Sequence, residues 1–167
     1  MQSINTLDEL KQSGMVVRSV RDEMRNNLMT LLKSGDRILP VIVGYDETVI
    51  PEIENAVLSG HHMVFLGERG QAKSRIIRGL SLLMDEYIPK VKGCEINCDP
   101  FNVICAPCRR RLAEEGDRIE VEWIGREERY GEKLATPDVS IADLIGEIDP
   151  IKIAEGRYLA DEETIHY

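Results

Sequence analysis

One stretch of the sequence brings together the residue types that bind a phosphate: two glycines, a lysine and a serine within eight positions. It reads Gly67-Glu68-Arg69-Gly70-Gln71-Ala72-Lys73-Ser74. Glycines let the backbone wrap closely around an anion, and successive N–H groups at a helix N-terminus direct positive potential at it. The pattern predicts that Lys73 binds the β- and γ-phosphates of a nucleotide, Ser74 binds Mg²⁺, and the backbone from Glu68 to Lys73 binds phosphate oxygens.

The position of Ala72 departs from the G-x-x-x-x-G-K-[ST] pattern, which has its second glycine there. If this position requires a positive φ, the methyl group of alanine costs on the order of 1 kcal/mol. The alternative interpretation is that the stretch is only a glycine-rich turn between a strand and a helix.

The flanking residues favour the nucleotide interpretation. Residues 62–66 form a short apolar run that ends where the glycines begin, which is typical of a buried parallel strand. A helix is expected from about Ser74, with apolar residues at the spacing of one helical face: Ile76, Ile77, Leu80, Leu83 and Met84. The loop would then join a strand to a helix, as a phosphate-binding loop must.

The longer sequence resembles a known family. The run Val41-Ile42-Val43-Gly44-Tyr45-Asp46-Glu47, a helix through residues 56–58 and the GERGQAKS loop resemble the ATP-binding start of the magnesium-chelatase AAA+ ATPases. The Ala-Lys-Ser ending resembles the related MoxR branch. Residues 135–138, 144–149 and 154–156 are similar to an insertion that chelatase subunits carry before their Walker B strand.

The resemblance implies an α/β fold: a P-loop NTPase (AAA+) three-layer core, incomplete at its C-terminus and preceded by N-terminal helices. It implies an N-terminal helical segment over residues 1–37 and a partial AAA+ domain over 38–167, with a cysteine-rich insertion at 92–118 and a chelatase-like insertion at about 119–167. It also implies ATP with Mg²⁺, a protein partner to be remodelled, and a homo-oligomeric ring that hydrolyses ATP when complete.

The parts needed for hydrolysis are not found in this sequence. A Walker B element is an apolar strand followed by Asp-Glu, well downstream of the loop. Leu82-Leu83-Met84-Asp85-Glu86 matches the letters, but it continues the helical stripe, so we expect its carboxylates on the loop's own helix. No sensor residue or arginine finger is identified, and catalytic residues stay unknown. We expect a fragment, a truncation or a split reading frame.

All four cysteines fall within one short segment, as Cys94-x3-Cys98-x6-Cys105-x2-Cys108. Four thiolates supply a tetrahedral set for Zn²⁺, and a reducing cytosol favours a metal over disulfides. An iron–sulfur cluster and unliganded or redox-active thiols stay open, because six residues between the pairs is short for a zinc ribbon. A zinc site here would stabilise the insertion rather than do chemistry.

Composition limits the other classes of function. The net charge of −9 argues against a nucleic-acid surface, and Arg109-Arg110-Arg111, followed closely by acidic residues, is interpreted as a solvated helix face. The sequence contains no run of 18 apolar residues, so no membrane span is predicted. We expect a cytoplasmic protein. A nucleotide-kinase-like enzyme is disfavoured, since no set of lid arginines follows the loop.

Two functions from different classes therefore remain. The first is ATP binding by a magnesium-chelatase-like AAA+ module. The alternative is a protein-interaction module stabilised by a metal on the four cysteines, in which the phosphate-binding loop is vestigial.

Overall fold

The computed structural model of the protein describes residues 4–148, 150–154 and 165–166. Its α-helices, in chain order, are α1 (Leu7–Gln12), α2 (Val20–Ser34), α3 (Val49–Leu58), α4 (Lys73–Leu80), α5 (Ala106–Glu115), α6 (Arg126–Arg129), α7 (Ala142–Ile145) and α8 (Pro150–Ala154). Short 3₁₀ turns follow α4 at Ser81–Leu83 and α5 at Gly116–Arg118. None of these helices has the length and apolar character needed to cross a bilayer.

The strands are short and form two small sheets. β1 (Tyr87–Val91) pairs with β2 (Val121–Gly125), and β3 (Glu147–Ile148) pairs antiparallel with β4 (Ile165–His166). The protein is thus a mixed helix and strand structure, and the described residues do not include the expected three-layer core.

The chain forms two compact units. The cysteine unit comprises Met1–Met15, Pro89–Ile124 and Gly131–Tyr167, and the loop unit comprises Val16–Ile88 and Gly125–Tyr130. The division into domains at residues 37 and 38 stays a prediction.

The core of the loop unit is built from α2, α3, α4 and the segment between α2 and α3. Its buried residues are Leu28, Ile38, Leu39, Ile42, Ile53, Val57, Ile76, Leu80 and Leu83. Both ends of α2 are capped: the Ser19 hydroxyl accepts a hydrogen bond from the amide of Asp22 at 3.2 Å, and Gly35 ends the helix in the left-handed conformation. These caps fix the ends of α2 by satisfying groups that have no partner within the helix.

The cysteine unit holds the N-terminal helix against the segment around β2. Thr6 caps α1 and pairs with Glu120 in an antiparallel bridge. The amide of Leu7 donates to the carbonyl of Ile119 at 3.1 Å, and the ammonium of Lys11 contacts the carboxylate of Asp117 at 2.6 Å. Residues 4–11 are therefore fixed by backbone bonds as well as by apolar packing.

The prediction of a β-strand at residues 62–66 is wrong. The segment is extended, and Met63 and Phe65 pack against the loop-unit core, but Val64 and Leu66 are 83% and 88% exposed. Among the residues that the structure describes, none pairs with this segment as a neighbouring strand. A parallel strand requires neighbours on its edges, and the alternating burial here is that of an apolar segment packed on one face alone.

Candidate functional site

The predicted phosphate-binding loop lies between the extended segment and α4, within the loop unit. The helix begins at Lys73, one residue earlier than expected. Ala72, the residue before the helix, has φ 57° and ψ 12°, and Gly70 has φ 85°. The left-handed conformation of Ala72 explains why the general pattern has glycine at this position.

The start of α4 has no side-chain cap. Ala72 carries no side-chain acceptor, and no capping hydrogen bond is made at this position. The first amides of any α-helix lack partners within the helix. The N-terminus of α4 is therefore able to donate to an anion brought to the loop.

The side chain of Lys73 folds back over the loop. Its ammonium donates to the carbonyl of Gly67 at 2.8 Å and to the carbonyl of Glu68 at 2.5 Å. The lysine is half-buried, whereas the neighbouring Ser74 is exposed. These two bonds hold the loop closed around its own cation and place the charge beside the N-terminus of α4.

An open cleft of about 580 Å³ lies in front of this helix end. Its lining consists of Arg69, Gly70, Gln71, Ala72, Lys73, Ser74 and Arg75. Six of the eight predicted residues thus line one space, while Gly67 and Glu68 hold the lysine. Three cations face the cleft, and in the described part of the chain neither Arg69 nor Arg75 forms an ion pair.

Arg75 is a cleft residue that the sequence interpretation did not include. It lies one position beyond the G-x-x-x-x-G-K-[ST] pattern, so the motif itself gave no reason to select it. Its position in the first turn of α4 is what brings it to the cleft.

The run at residues 41–47, which is part of the family resemblance, contacts the loop. The hydroxyl of Tyr45 donates to the carbonyl of Gln71 at 3.4 Å, and the ring of Tyr45 packs against the loop-unit core. Ile42 is buried in that core, whereas Val41 and Val43 are exposed. One hydrogen bond therefore joins two of the stretches on which the family resemblance rests.

The Walker B mimic is placed differently from the prediction. α4 ends at Leu80, and Asp85 and Glu86 lie beyond the helix, directly before β1. The Asp85 carboxylate accepts a hydrogen bond from the Asn27 side chain at 2.8 Å. The Asp85 carboxylate is therefore engaged with Asn27. The acidic pair comes before a strand, whereas the acidic pair of a Walker B element comes after one.

The four cysteines converge, as the sequence predicted. Their sulfur atoms all lie within 4.8 Å of one another, and three of the four residues are buried. The Sγ atom of Cys105 lies 3.9 Å from that of Cys94 and 3.5 Å from that of Cys98. The described residues contain no disulfide, and all four thiols are free.

The surroundings of the thiols shift their pKa values in different directions. Burial is the main influence on Cys98 and Cys108, and it raises the pKa of both thiols. Burial also opposes ionisation of Cys94, but hydrogen bonds from the amide of Cys98 and from the Cys108 side chain outweigh it, so the pKa of Cys94 is lowered. If all four sulfurs were ionised at this spacing, a bound cation would offset their mutual repulsion.

The arginine cluster after the cysteines is engaged within the protein. The guanidinium of Arg111 donates to the carbonyl of Lys92 at 2.8 Å and contacts Glu115, and that of Arg109 donates to the carbonyl of Ile104. These contacts agree with the interpretation of a helix face rather than a phosphate-binding patch.

A comparison with curated proteins finds similarity to the magnesium-chelatase subunit ChlI homolog of Methanocaldococcus jannaschii, with 37% identity over 73 residues. The matched stretch is 42% of this chain and 19% of that protein, so the chain spans about a fifth of the length of the curated relative. No family model and no solved structure matches the chain. The similarity relates part of the chain to a magnesium-chelatase-like protein, in agreement with the resemblance seen in the sequence.

Proposed function

We propose that this chain binds ATP with Mg²⁺ through residues 67–74 and Arg75, as part of a magnesium-chelatase-like AAA+ ATPase. The observation that carries the proposal is the arrangement of Ala72 and Lys73. A left-handed residue immediately precedes an uncapped helix, and the first residue of that helix is a lysine held over the loop. This is the backbone path that turns amide groups and one ammonium towards a phosphate chain.

Each residue has a separate role in this proposal. On binding, the ammonium of Lys73 leaves the carbonyls of Gly67 and Glu68 for the β- and γ-phosphates. The hydroxyl of Ser74, exposed at the second position of α4, binds Mg²⁺. Arg69 and Arg75 add positive potential at the mouth of the cleft, which raises the local concentration of an anionic ligand.

The activity of the whole protein extends beyond these residues. We infer that the complete protein hydrolyses ATP, assembles as a ring and remodels a protein partner in the cytoplasm. The described residues offer no Asp-Glu pair at the end of a strand, so hydrolysis requires groups supplied from outside the part of the chain that the structure describes. Binding without turnover is the behaviour that we propose for the described residues.

The test is a titration of the chain with a slowly hydrolysed ATP analogue and Mg²⁺. Loss of one charge-assisted contact costs about 1.5–3 kcal/mol, so Lys73→Ala should weaken binding roughly 10- to 100-fold. The matched control is Lys33→Ala, which removes an exposed lysine from the last turn of α2 in the same unit. Equal affinity of Lys73→Ala and the wild type would reject the assignment.

A second measurement separates the metal from the lysine. Ser74→Ala should reduce affinity when Mg²⁺ is present and leave affinity in a chelator unchanged, because the hydroxyl acts through the ion. The competing hypothesis, a metal-stabilised interaction module with a vestigial loop, predicts that neither variant changes a nucleotide affinity that is already absent.

A further inference from the structure

We propose that Cys94, Cys98, Cys105 and Cys108 together hold one Zn²⁺ ion, and that this ion is required for the cysteine unit to fold. The inference does not depend on the nucleotide proposal, because the four residues belong to the other unit. It makes two claims that can be measured separately: the identity of the ion and its effect on the fold.

The sulfur atoms lie at the spacing of ligands to one tetrahedral ion. With zinc–sulfur bonds of about 2.3 Å, the edge of the tetrahedron between two sulfurs is about 3.8 Å. The separations of 3.9 Å and 3.5 Å at Cys105 bracket this value, and all four sulfurs lie within 4.8 Å of one another. A small contraction of the widest pairs would complete the tetrahedron.

The same distances disfavour a disulfide and a multi-iron cluster. A disulfide needs its two sulfurs about 2.05 Å apart, far closer than these. A multi-iron cluster places several irons and inorganic sulfides between its cysteines, so their sulfurs stand farther apart than ligands of one ion. The geometry is that of a single metal.

Backbone amides orient the thiolates in a chain of three hydrogen bonds. The amide of Cys98 donates to the sulfur of Cys94 at 3.3 Å, and the amide of Cys105 donates to Cys98 at 3.5 Å. The amide of Cys108 donates to Cys105 at 3.4 Å, where Cys105 is also the N-cap of α5. Amide donors and a helix N-terminus both stabilise negative sulfur, so the loop is preorganised for a cation.

The role of the ion is structural. Four sulfur ligands leave no open position for water or substrate, which distinguishes structural from catalytic zinc. The three buried cysteines also make up a large part of the cysteine-unit core, which otherwise consists of Leu7, Leu10, Val91 and Ile119. Among the described residues, Ile4, Ile96, Val103 and Leu112 are partly buried against this core. A core of this size buries little apolar surface, so a bound metal would add substantially to its stability.

The first experiment measures metal in the purified full chain by mass spectrometry. We expect one zinc per chain in the wild type and in Lys73→Ala, and loss of zinc in the double variant Cys94→Ser/Cys108→Ser. The control is Ile104→Ser, which introduces the same side chain at an exposed position next to a ligand. A wild type without metal, or with iron in place of zinc, would overturn the proposal.

The second experiment uses the wild type alone, because the cysteine variants are expected to misfold. The single tryptophan, Trp123, lies in β2 and donates its indole N–H to the carbonyl of Ile4 at 3.3 Å. Removal of zinc with a chelator should shift the Trp123 emission towards that of an exposed indole, and added Zn²⁺ should restore it. Co²⁺ added to the stripped protein should give the visible absorption of tetrahedral cobalt–thiolate. An emission spectrum unaffected by the chelator, or no cobalt–thiolate band, would contradict the proposal.

Discussion

The carboxylate of Glu23 and the guanidinium of Arg129 form a two-point ion pair inside the loop unit. One guanidinium nitrogen contacts the carboxylate at 2.8 Å, and a second contacts its other oxygen. Glu23 is 2% exposed and the Arg129 side chain 9%, and Glu23 also accepts a hydrogen bond from the amide of Asp85. The pair fixes the short helix α6 to α2, although the two residues are 106 positions apart.

We predict that Glu23→Gln destabilises the protein by about 3 kcal/mol, because it leaves the Arg129 cation buried without its counterion. The measurement is chemical denaturation followed by far-UV circular dichroism. The matched control is Asp46→Asn, which makes the same carboxylate-to-amide change in the exposed ion pair with Arg37 and should cost less than about 1 kcal/mol. If the two variants lost the same free energy of unfolding, burial would not make the Glu23–Arg129 pair more stabilising than the exposed pair.

We predict that Ala72→Gly stabilises the loop unit by up to about 1 kcal/mol and does not weaken nucleotide binding. The substitution removes the methyl group that the left-handed conformation disfavours. The control is Ala56→Gly within α3, which should destabilise by about 1 kcal/mol because its backbone is helical. Denaturation curves of the two variants should shift in opposite directions, and a shift in the same direction would contradict the backbone assignment.

We predict that the turn before α7 persists at pH values below the usual pKa of an aspartate. The amide and hydroxyl of Ser140 bond the Asp143 carboxylate at 2.9 Å and 2.8 Å, and with Lys133 they lower the pKa of Asp143 to about 2. Since the folded pKa is below the unfolded one, the stabilisation is present above about pH 4 and is lost as the pH falls through about 2. Carboxyl NMR titration measures this pKa directly.

The control for that titration is Ser140→Ala, which removes the hydroxyl and retains the amide donor. The pKa of Asp143 should rise in this variant but remain below the ordinary value, since the amide bond is the larger influence. A wild-type pKa close to that of a free aspartate would show that the Ser140 turn does not form in solution.

Local features of this chain could be predicted from sequence, whereas features that depend on distant partners could not. The caps at Thr6, Ser19 and Gly35 are features of this local kind, because a cap is formed by residues a few positions apart. The cysteine cluster was predictable for the same reason, since its four residues fall within one short segment. The glycines of residues 67–74 precede α4 and Lys73 begins it, close to the predicted arrangement, because such turns are set by neighbouring residues.

The errors arose where pairing is long-range. The apolar letters of residues 62–66 indicate a strand, but a strand also needs neighbours, and the sequence pattern does not report whether they are present. Likewise, the stripe that continues to Met84 did not reveal that α4 gives way to a 3₁₀ turn after Leu80. The partnership of Glu23 with Arg129 and the packing of α1 on residues near β2 left no periodic signal.

The bonds between α1 and the residues before β2 have a consequence for biosynthesis. Lys11 and Asp117 are separated by 106 positions, so the first helix leaves the ribosome long before the segment that covers Leu7 and Leu10 has been translated. Until then its apolar side is open to chaperones and proteases. We expect this helix to be translated before the residues that it packs on and to dock only after they have been made.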